Sequence, residues 1–265
     1  MQRRSFCKSM LGIGLGALTL KHGFAIGHDK TKTYVLVHGA WSGGWCWKRL
    51  TTLLRNSGHE VSSPTCTGVG ERAHLNTKAV GLGIWIQDVV NHIEQEDFSE
   101  IILVGSGFGG VVITGVADRI PKRLRKLVYL DALVIHNGNS AFDQLPPDVV
   151  ANRLRQVEKE GNGINIPVPS VESFGLKNLN DIQWVASKLK PQPVNTYMEK
   201  LSLKGSIGNE LPKVYIDCTS PPFKPLIEVK RRIKTEKDWD WRSINTSHDA
   251  MISAPKLVQE ILQEL

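Results

Sequence analysis

The strongest constraint on the fold is a glycine-dense turn between two apolar runs. The first run, Ile101–Val104, has the apolar, β-branched composition of a buried strand. The turn Gly105–Gly110 follows, and the second run, Val111–Ala117, is compatible with a helix. A strand, a tight turn and a helix in this order form the context in which the pattern G-x-S-x-G presents a serine on strained backbone.

The centre of this turn holds glycine where that pattern requires serine. Within Gly105–Gly109 the small residues align with the pattern, but the central residue is Gly107 and Ser106 lies one position early. If Ser106 were the nucleophile, the flanking small positions would be Val104 and Phe108, which are bulky for so tight a turn. The sequence therefore predicts the frame of an acyl-transfer enzyme and leaves the identity of its nucleophile open.

Length and charge indicate one domain and exclude an electrostatic nucleic-acid binder. A chain of 265 residues with 41% hydrophobic content can bury one sizeable core and carry an inserted cap. The formal charge is +7, but residues 1–27 hold four basic residues and no acidic ones, so the remainder carries +3. A charge this small does not indicate a nucleic-acid partner. Two basic clusters are interpreted as solvated helix faces: Lys122/Arg123/Arg125/Lys126 and Lys230/Arg231/Arg232/Lys234.

The N-terminal residues predict an export signal. Arg3-Arg4 is followed by the short apolar run Met10–Leu20, and Ala25–Gly27 offers small residues for cleavage. The apolar run is shorter than the ~20 residues that a bilayer span requires. We expect a twin-arginine-type signal over 1–27, a periplasmic or secreted protein, and no stable membrane span after its removal. The alternatives are an uncleaved anchor or a chance arginine pair.

No metal or organic cofactor is predicted. Cys46, Cys66 and Cys218 match no metal-binding spacing, so we interpret them as buried hydrophobic residues, with a single disulfide as the alternative. The turn Gly105–Gly110 also lacks the Lys-Ser/Thr of a phosphate-binding loop.

The remaining chain alternates strand and helix patterns, which favours an α/β fold with a mostly parallel sheet flanked by helices. We assign this domain to 28–265. From about 136 to 208 the pattern weakens into polar, Pro- and Gly-bearing segments, and we expect a helical cap inserted there. Strands are predicted at Thr33–Val37, His59–Ser63, Ile101–Val104, Lys126–Leu130, Lys213–Cys218 and Trp241–Ile244. Helices are predicted at Trp47–Asn56, Gly83–Gln95, Gly110–Asp118, Asp148–Lys159, Asp181–Leu189 and Pro255–Leu265.

Several motifs together resemble the α/β-hydrolase superfamily. The segments are His38–Trp47, Thr67–Leu75, Leu127–Ala132, Gly138–Ser140 and Ser247–Met251. They are similar to the first-strand loop, a T-G-x-G-E-R-x-H-L loop, an L-V-Y-L-D-A segment with its following loop, and a G-H-D-x-M motif. The branch they resemble contains bacterial EstC-like and pyrethroid-hydrolase-like esterases, which are related to plant methyl esterases and hydroxynitrile lyases. The resemblance implies the α/β-hydrolase fold and esterase chemistry.

The same resemblance suggests roles for individual residues. His248 would be the general base and acid, since it matches the histidine motif after the last strand. Asp131 is the preferred acid to orient it, because no carboxylate follows the next strand at Ser220; Asp217 is the alternative, and a structural role for Asp131 stays open. The backbone N–H groups of Ala40 and Phe108 would form the oxyanion hole.

Further residues have two interpretations each. Trp41, Trp45 and Phe142 would line an apolar acyl or aryl pocket or simply pack in the core. His38 and His74 are interpreted as loop-ordering residues.

Three functions remain open from the sequence. The first is an exported carboxylic ester hydrolase on small or medium apolar esters, using either Ser106 or a water molecule activated by His248. The second is nucleophile-independent acid/base chemistry, lyase-like or cofactor-free, on a carbonyl substrate. The third is a non-catalytic ligand-binding protein with the same pocket.

Overall fold

The computed structural model describes residues 31–265. The predicted export signal over 1–27 lies outside the described residues.

Six strands form one parallel sheet, in the order β2-β1-β3-β4-β7-β8. The other two strands, β5 and β6, form a small antiparallel pair. The strands are β1 Thr33–Val37, β2 Glu60–Ser62, β3 Ile101–Gly107, β4 Leu124–Ala132, β5 Asn165–Ile166, β6 Gln192–Pro193, β7 Lys213–Cys218 and β8 Trp239–Ile244.

Helices connect the strands of the parallel sheet. They are α1 Lys48–Asn56, α2 Leu82–Gln95, α3 Gly109–Arg119, α4 Pro147–Glu160, α5 Leu179–Ala186, α6 Asn195–Met198, α7 Ile227–Ile233, α8 Ala250–Ser253 and α9 Pro255–Glu264. None of the helices within residues 31–265 has the length and apolar character needed to cross a membrane.

The predicted fold class is confirmed. Each of the strands and helices predicted after residue 30 is present, with bounds shifted by a few residues. β3 is buried at all seven of its positions, as a central strand covered on both faces should be. Helix α7 was expected only as a solvated helix face around its basic cluster, because the basic residues obscure the apolar positions Val229 and Ile233.

The region predicted as a cap separates β4 from β7. It contributes α4, α5, α6 and the β5–β6 pair. The carboxyl ends of the parallel strands β1, β3 and β4 meet at the same edge of the sheet, where ligands bind in open α/β sheets.

The glycines after β3 permit helix α3 to approach the sheet closely. A Cβ atom at Gly105 would lie 2.5 Å from the carbonyl oxygen of Gly109, and one at Gly110 would lie 2.4 Å from that of Leu133. Carbonyl oxygens of the main chain cannot move aside without disturbing the sheet. The glycine density of the turn is therefore a packing requirement.

We predict that Gly110→Ala lowers the free energy of unfolding by more than about 2 kcal/mol, because overpacking forces the backbone to shift. Gly83→Ala is the matched control: this helical glycine meets only the flexible carboxylate of Glu199, so we expect a change below about 1 kcal/mol. Urea denaturation measures both. Similar losses for the two variants would contradict the packing interpretation.

Candidate active site

Three loops at the carboxyl edge of the sheet bring His248, Asp131 and Gly107 together. Asp131 lies near the end of β4, Gly107 ends β3, and His248 follows β8. The Nδ1 atom of His248 is 2.7 Å from Oδ2 of Asp131. Both side chains are buried. With Nδ1–H donating to the carboxylate, Nε2 is left as a proton acceptor on the opposite side of the ring.

A buried lysine holds the other oxygen of Asp131. The Nζ atom of Lys230 lies 2.5 Å from Oδ1 of Asp131 and 2.7 Å from Oδ1 of Asp217. The backbone N–H of Cys218 donates to the same Asp131 oxygen at 3.1 Å. Burial opposes ionisation of Asp131, but the hydrogen bond from His248 and the charges of His248 and Lys230 outweigh it and lower its pKa. The carboxyl group is thus held as a carboxylate.

These contacts correct one prediction and clarify another. Lys230 was expected on a solvated helix face, but it is buried with 8% exposure and compensates two carboxylates. The sequence signal was present: Leu226, Lys230 and Ile233 share one face at helical spacing, and this face is buried. Asp217, the alternative partner for His248, pairs with Lys230 instead. Lys126, from the other basic cluster, lies on a strand and donates to the carbonyl oxygen of Leu265.

The position facing the histidine is Gly107. This residue has φ +53°, in the left-handed region, and a Cβ atom built on it would lie 3.2 Å from Nε2 of His248. A hydroxymethyl group at this position would reach the imidazole. Ser106 belongs to β3, is 2% exposed and makes no hydrogen bond to His248 within the described chain. The structure therefore sets Gly107, and not Ser106, against the histidine.

The loop after β1 and the turn after β3, which carry the two predicted oxyanion donors, are in contact. A Cβ at Gly107 would be 3.7 Å from Cα of Gly39, and one at Gly39 would be 3.8 Å from the backbone nitrogen of Phe108. The loop that carries Ala40 therefore packs directly on the turn that carries Phe108. Trp41 follows Ala40 with φ +60°, a strained conformation for a bulky residue.

Aromatic side chains enclose the cleft above His248. The cleft has a volume of about 880 Å³ including its open mouth. The ring of Phe223 stacks on the imidazole of His248 at a centroid distance of 3.9 Å. The ring of Phe174 lies 6.3 Å from the imidazole, with an interplanar angle of 26°. Trp41 and Trp45 also line the cleft, as one interpretation expected. Phe142 is not among its lining residues and packs against Tyr197.

His38 orders the loop after β1 through two hydrogen bonds. Its Nδ1–H donates to the carbonyl oxygen of Gly39 at 2.8 Å, and its Nε2 accepts from the N–H of Cys66 at 3.0 Å. Burial lowers the pKa of His38 to about 4, against a smaller opposing effect from the bond to Gly39. These are the contacts of a loop-ordering residue. His74, in contrast, is exposed.

The three cysteines of the described chain, Cys46, Cys66 and Cys218, are buried and free. Burial raises the pKa of each thiol above its usual range, so they behave as hydrophobic residues. Within residues 31–265, no group of three or more histidine, cysteine, aspartate or glutamate side chains is arranged to hold a metal ion.

The site combines a strand–turn–helix elbow with a paired histidine and aspartate. The chain belongs to the alpha/beta hydrolase family, whose model matches residues 34–258. The resemblance drawn from the sequence motifs is therefore confirmed.

Several relatives are esterases. The chain is 38% identical over 241 residues to a carbendazim hydrolyzing esterase from Nocardioides sp. (strain SG-4G), covering 88% of this chain and 98% of the relative. It also resembles an extracellular alpha/beta-hydrolase from a Paenibacillus species, with a TM-score of 0.77, 26% identity and coverage of 88% and 98%. Tomato methylketone synthase I, solved with 2-tridecanone, shares the fold at a TM-score of 0.73 and 19% identity, covering 88% of this chain and 97% of the synthase.

We predict that Lys230→Met lowers the free energy of unfolding by about 3 kcal/mol or more, because it leaves the buried Asp131 carboxylate without its compensating cation. Arg231→Met, one position along the same helix, is the control. Arg231 is 78% exposed and paired only with Glu228, so its loss should cost less than about 0.5 kcal/mol. Urea denaturation at neutral pH tests the difference. Equal effects would show that Lys230 does not stabilise the buried carboxylates.

Protonation of His38 is expected to lower the free energy of unfolding as the pH drops below neutral. Its folded pKa of about 4 lies below the ordinary value of 6.5, so the unfolded chain binds more protons between these values. Stability is full above about pH 6.5 and declines as the pH falls towards 4, by about 2 kcal/mol at pH 5. In His38→Gln, the loss of unfolding free energy between pH 7 and pH 5 should shrink by about this amount, whereas His74→Gln should behave as the unsubstituted protein does. An unchanged loss in His38→Gln would contradict the assignment.

Proposed function

We propose that the chain is an esterase-type enzyme that hydrolyses small or medium apolar esters by direct attack of water activated by His248. The observation that carries this proposal is the geometry at Gly107: Nε2 of His248 faces a residue that has no hydroxyl group, while its Nδ1 remains paired with Asp131. The esterase activity of the Nocardioides relative supports carbonyl chemistry at such a site.

The proposed reaction needs one water molecule and no covalent intermediate. A water molecule hydrogen-bonded to Nε2 would attack the ester carbonyl carbon while Nε2 removes its proton. The carbonyl electrons move onto the oxygen, which the N–H groups of Ala40 and Phe108 stabilise. Collapse expels the alkoxide, and the imidazolium returns the proton to it. The products are a carboxylic acid and an alcohol.

Asp131 supports both halves of this cycle. Its carboxylate fixes the Nδ1–H tautomer and stabilises the imidazolium that forms when Nε2 takes the proton. Lys230 keeps Asp131 ionised through a contact on the oxygen that His248 does not use. The aromatic walls Phe223 and Phe174 limit the positions that the imidazole ring can take.

A second candidate uses the same groups without water attack. If an enolate forms on a carbonyl substrate bound at Ala40 and Phe108, His248 would only have to deliver or remove a proton, as in a lyase-like reaction. The apolar enclosure of the imidazole favours this, since it restricts the approach of water. Tomato methylketone synthase I, which shares the fold, has been solved with β-ketoheptanoate.

Export to the periplasm or the exterior, predicted from residues 1–27, remains a prediction for either enzyme.

Hydrolysis of p-nitrophenyl acetate, butyrate and hexanoate tests the proposal. We expect slow turnover, since an oxyanion hole without a serine still gives roughly 10³–10⁴-fold acceleration over water. His248→Ala should abolish this turnover, and Ser106→Ala should leave it within about threefold. Gly107→Ser should raise kcat at least about 100-fold and produce an acyl-enzyme burst, despite the strain of φ +53° for a side chain.

Other outcomes select other functions. Loss of activity in Ser106→Ala would identify Ser106 as a displaced nucleophile and contradict direct water attack. Absence of ester hydrolysis together with His248-dependent conversion of a 3-oxo acid would favour the lyase-like candidate. Ligand binding without any turnover would identify a non-catalytic binding protein.

A further inference from the structure

One cation reaches the cleft from the cap. Arg153 lies on helix α4 and lines the same cleft as His248 and Gly107. Its guanidinium carbon is 5.8 Å from the ring centroid of Trp41 and 5.7 Å from that of Tyr197. Both rings also line the cleft, so Arg153 is fixed against its inner wall by cation–π contacts.

Arg153 has no carboxylate partner in the described chain. Other arginines make ion pairs, including Arg49 with Asp181, Arg72 with Asp88 and Arg242 with Asp240. Arg153 contacts the faces of Trp41 and Tyr197 and hydrogen-bonds with the Tyr197 hydroxyl group, a neutral acceptor. The guanidinium has five N–H donors, so donors remain available to a molecule inside the cleft.

No carboxylate of the cleft wall is paired with Arg153 in the described chain. The other titratable side chains along the wall are those of Cys46, Tyr197, His248 and Asp249. Burial raises the pKa of Asp249, an effect that the charge of His248 opposes, and this carboxyl group forms no ion pair with Arg153 in the described chain. A bound molecule that displaces water from Arg153 would therefore have to bring its own negative charge.

Two aromatic rings connect Arg153 to the residues proposed to hold the oxyanion. The ring of Tyr197 stacks on that of Phe108 at 4.9 Å, and Phe108 carries one proposed oxyanion donor. Trp41, the other ring under Arg153, directly follows Ala40, which carries the second donor. The cation therefore contacts two rings that adjoin the residues proposed to supply the oxyanion donors.

We propose that the substrate is an ester of a dicarboxylic acid, with a free carboxylate that binds Arg153 while its ester carbonyl occupies the oxyanion site. This substrate class rests on the proposed ester hydrolysis at the site, and it replaces a wholly apolar ester by one whose acyl chain ends in a carboxylate. A carboxylate fits because it matches the planar guanidinium in a bidentate pair. A phosphate dianion would need a second cation, and among the lining residues of the described chain Arg153 is the only permanent one.

Binding of ketones tests this inference without requiring turnover. The probes are 5-oxohexanoate and 7-oxooctanoate, whose ketone groups can occupy the oxyanion site and cannot be hydrolysed, and their neutral methyl amides. Calorimetric titration compares the unsubstituted protein with Arg153→Gln, Arg153→Lys and the control Arg155→Gln. Arg155 is exposed on the same helix and, within residues 31–265, donates a hydrogen bond to the side chain of Asn152.

We expect the unsubstituted protein to bind at least one carboxylate about tenfold or more tightly than its neutral amide. Arg153→Gln should lose this preference while still binding the amide, which also shows that the variant is folded. Arg153→Lys should keep part of the preference, and Arg155→Gln all of it. Added salt should reduce the preference.

Two results would overturn the inference. Equal affinity for the carboxylates and the amides, or a preference that persists in Arg153→Gln, would show that Arg153 does not select an anion, and the proposed ester hydrolysis would stand. If neither the carboxylates nor the amides bind, the assignment of a carbonyl site fails as well, and the ester assays would then identify which part is wrong.

Discussion

The buried carboxylate of Asp131 is the interaction on which the site depends. It lies in the sheet at 0% exposure, where an uncompensated charge would be very costly. Its two oxygens are divided between His248 on one side and Lys230 with the N–H of Cys218 on the other. These contacts join β4, α7, β7 and the loop after β8. The pair formed by His248 and Asp131 is thus also an electrostatic link between four parts of the fold.

The second constraint is the close approach of backbone around the elbow. Gly105 and Gly110 are needed because carbonyl oxygens occupy the space of a side chain, whereas Gly107 differs from them. Its virtual Cβ meets the imidazole of His248 at 3.2 Å and no closer backbone atom. The glycine density of the turn is therefore explained by packing at its ends, while the glycine at its centre leaves no side chain between the backbone and His248.

Much of the fold and part of the site could be predicted from the sequence. Alternating apolar strands and amphipathic helices indicated a parallel sheet, since strands buried on both faces require continuous apolar runs. The sequence motifs that contain His248 and Asp131 pointed to these two residues, and the structure places Nδ1 of His248 2.7 Å from Oδ2 of Asp131. Lys230 was misjudged, because a run of basic residues hides the helical spacing that places one of them in the core. Nothing in the sequence indicated that Arg153 lines the cleft, because its position depends on how the cap packs against the rest of the domain.

The sequence by itself determined the family, the burial of the sheet strands and the absence of a hydroxyl group at residue 107. These follow from local pattern and residue identity. The tertiary structure decided which residue faces His248, which carboxylate pairs with it, and which cation enters the cleft. Those relations join residues more than a hundred positions apart, as in Asp131 and His248. They depend on loop paths and side-chain packing, which local propensities do not specify because they describe only near neighbours along the chain.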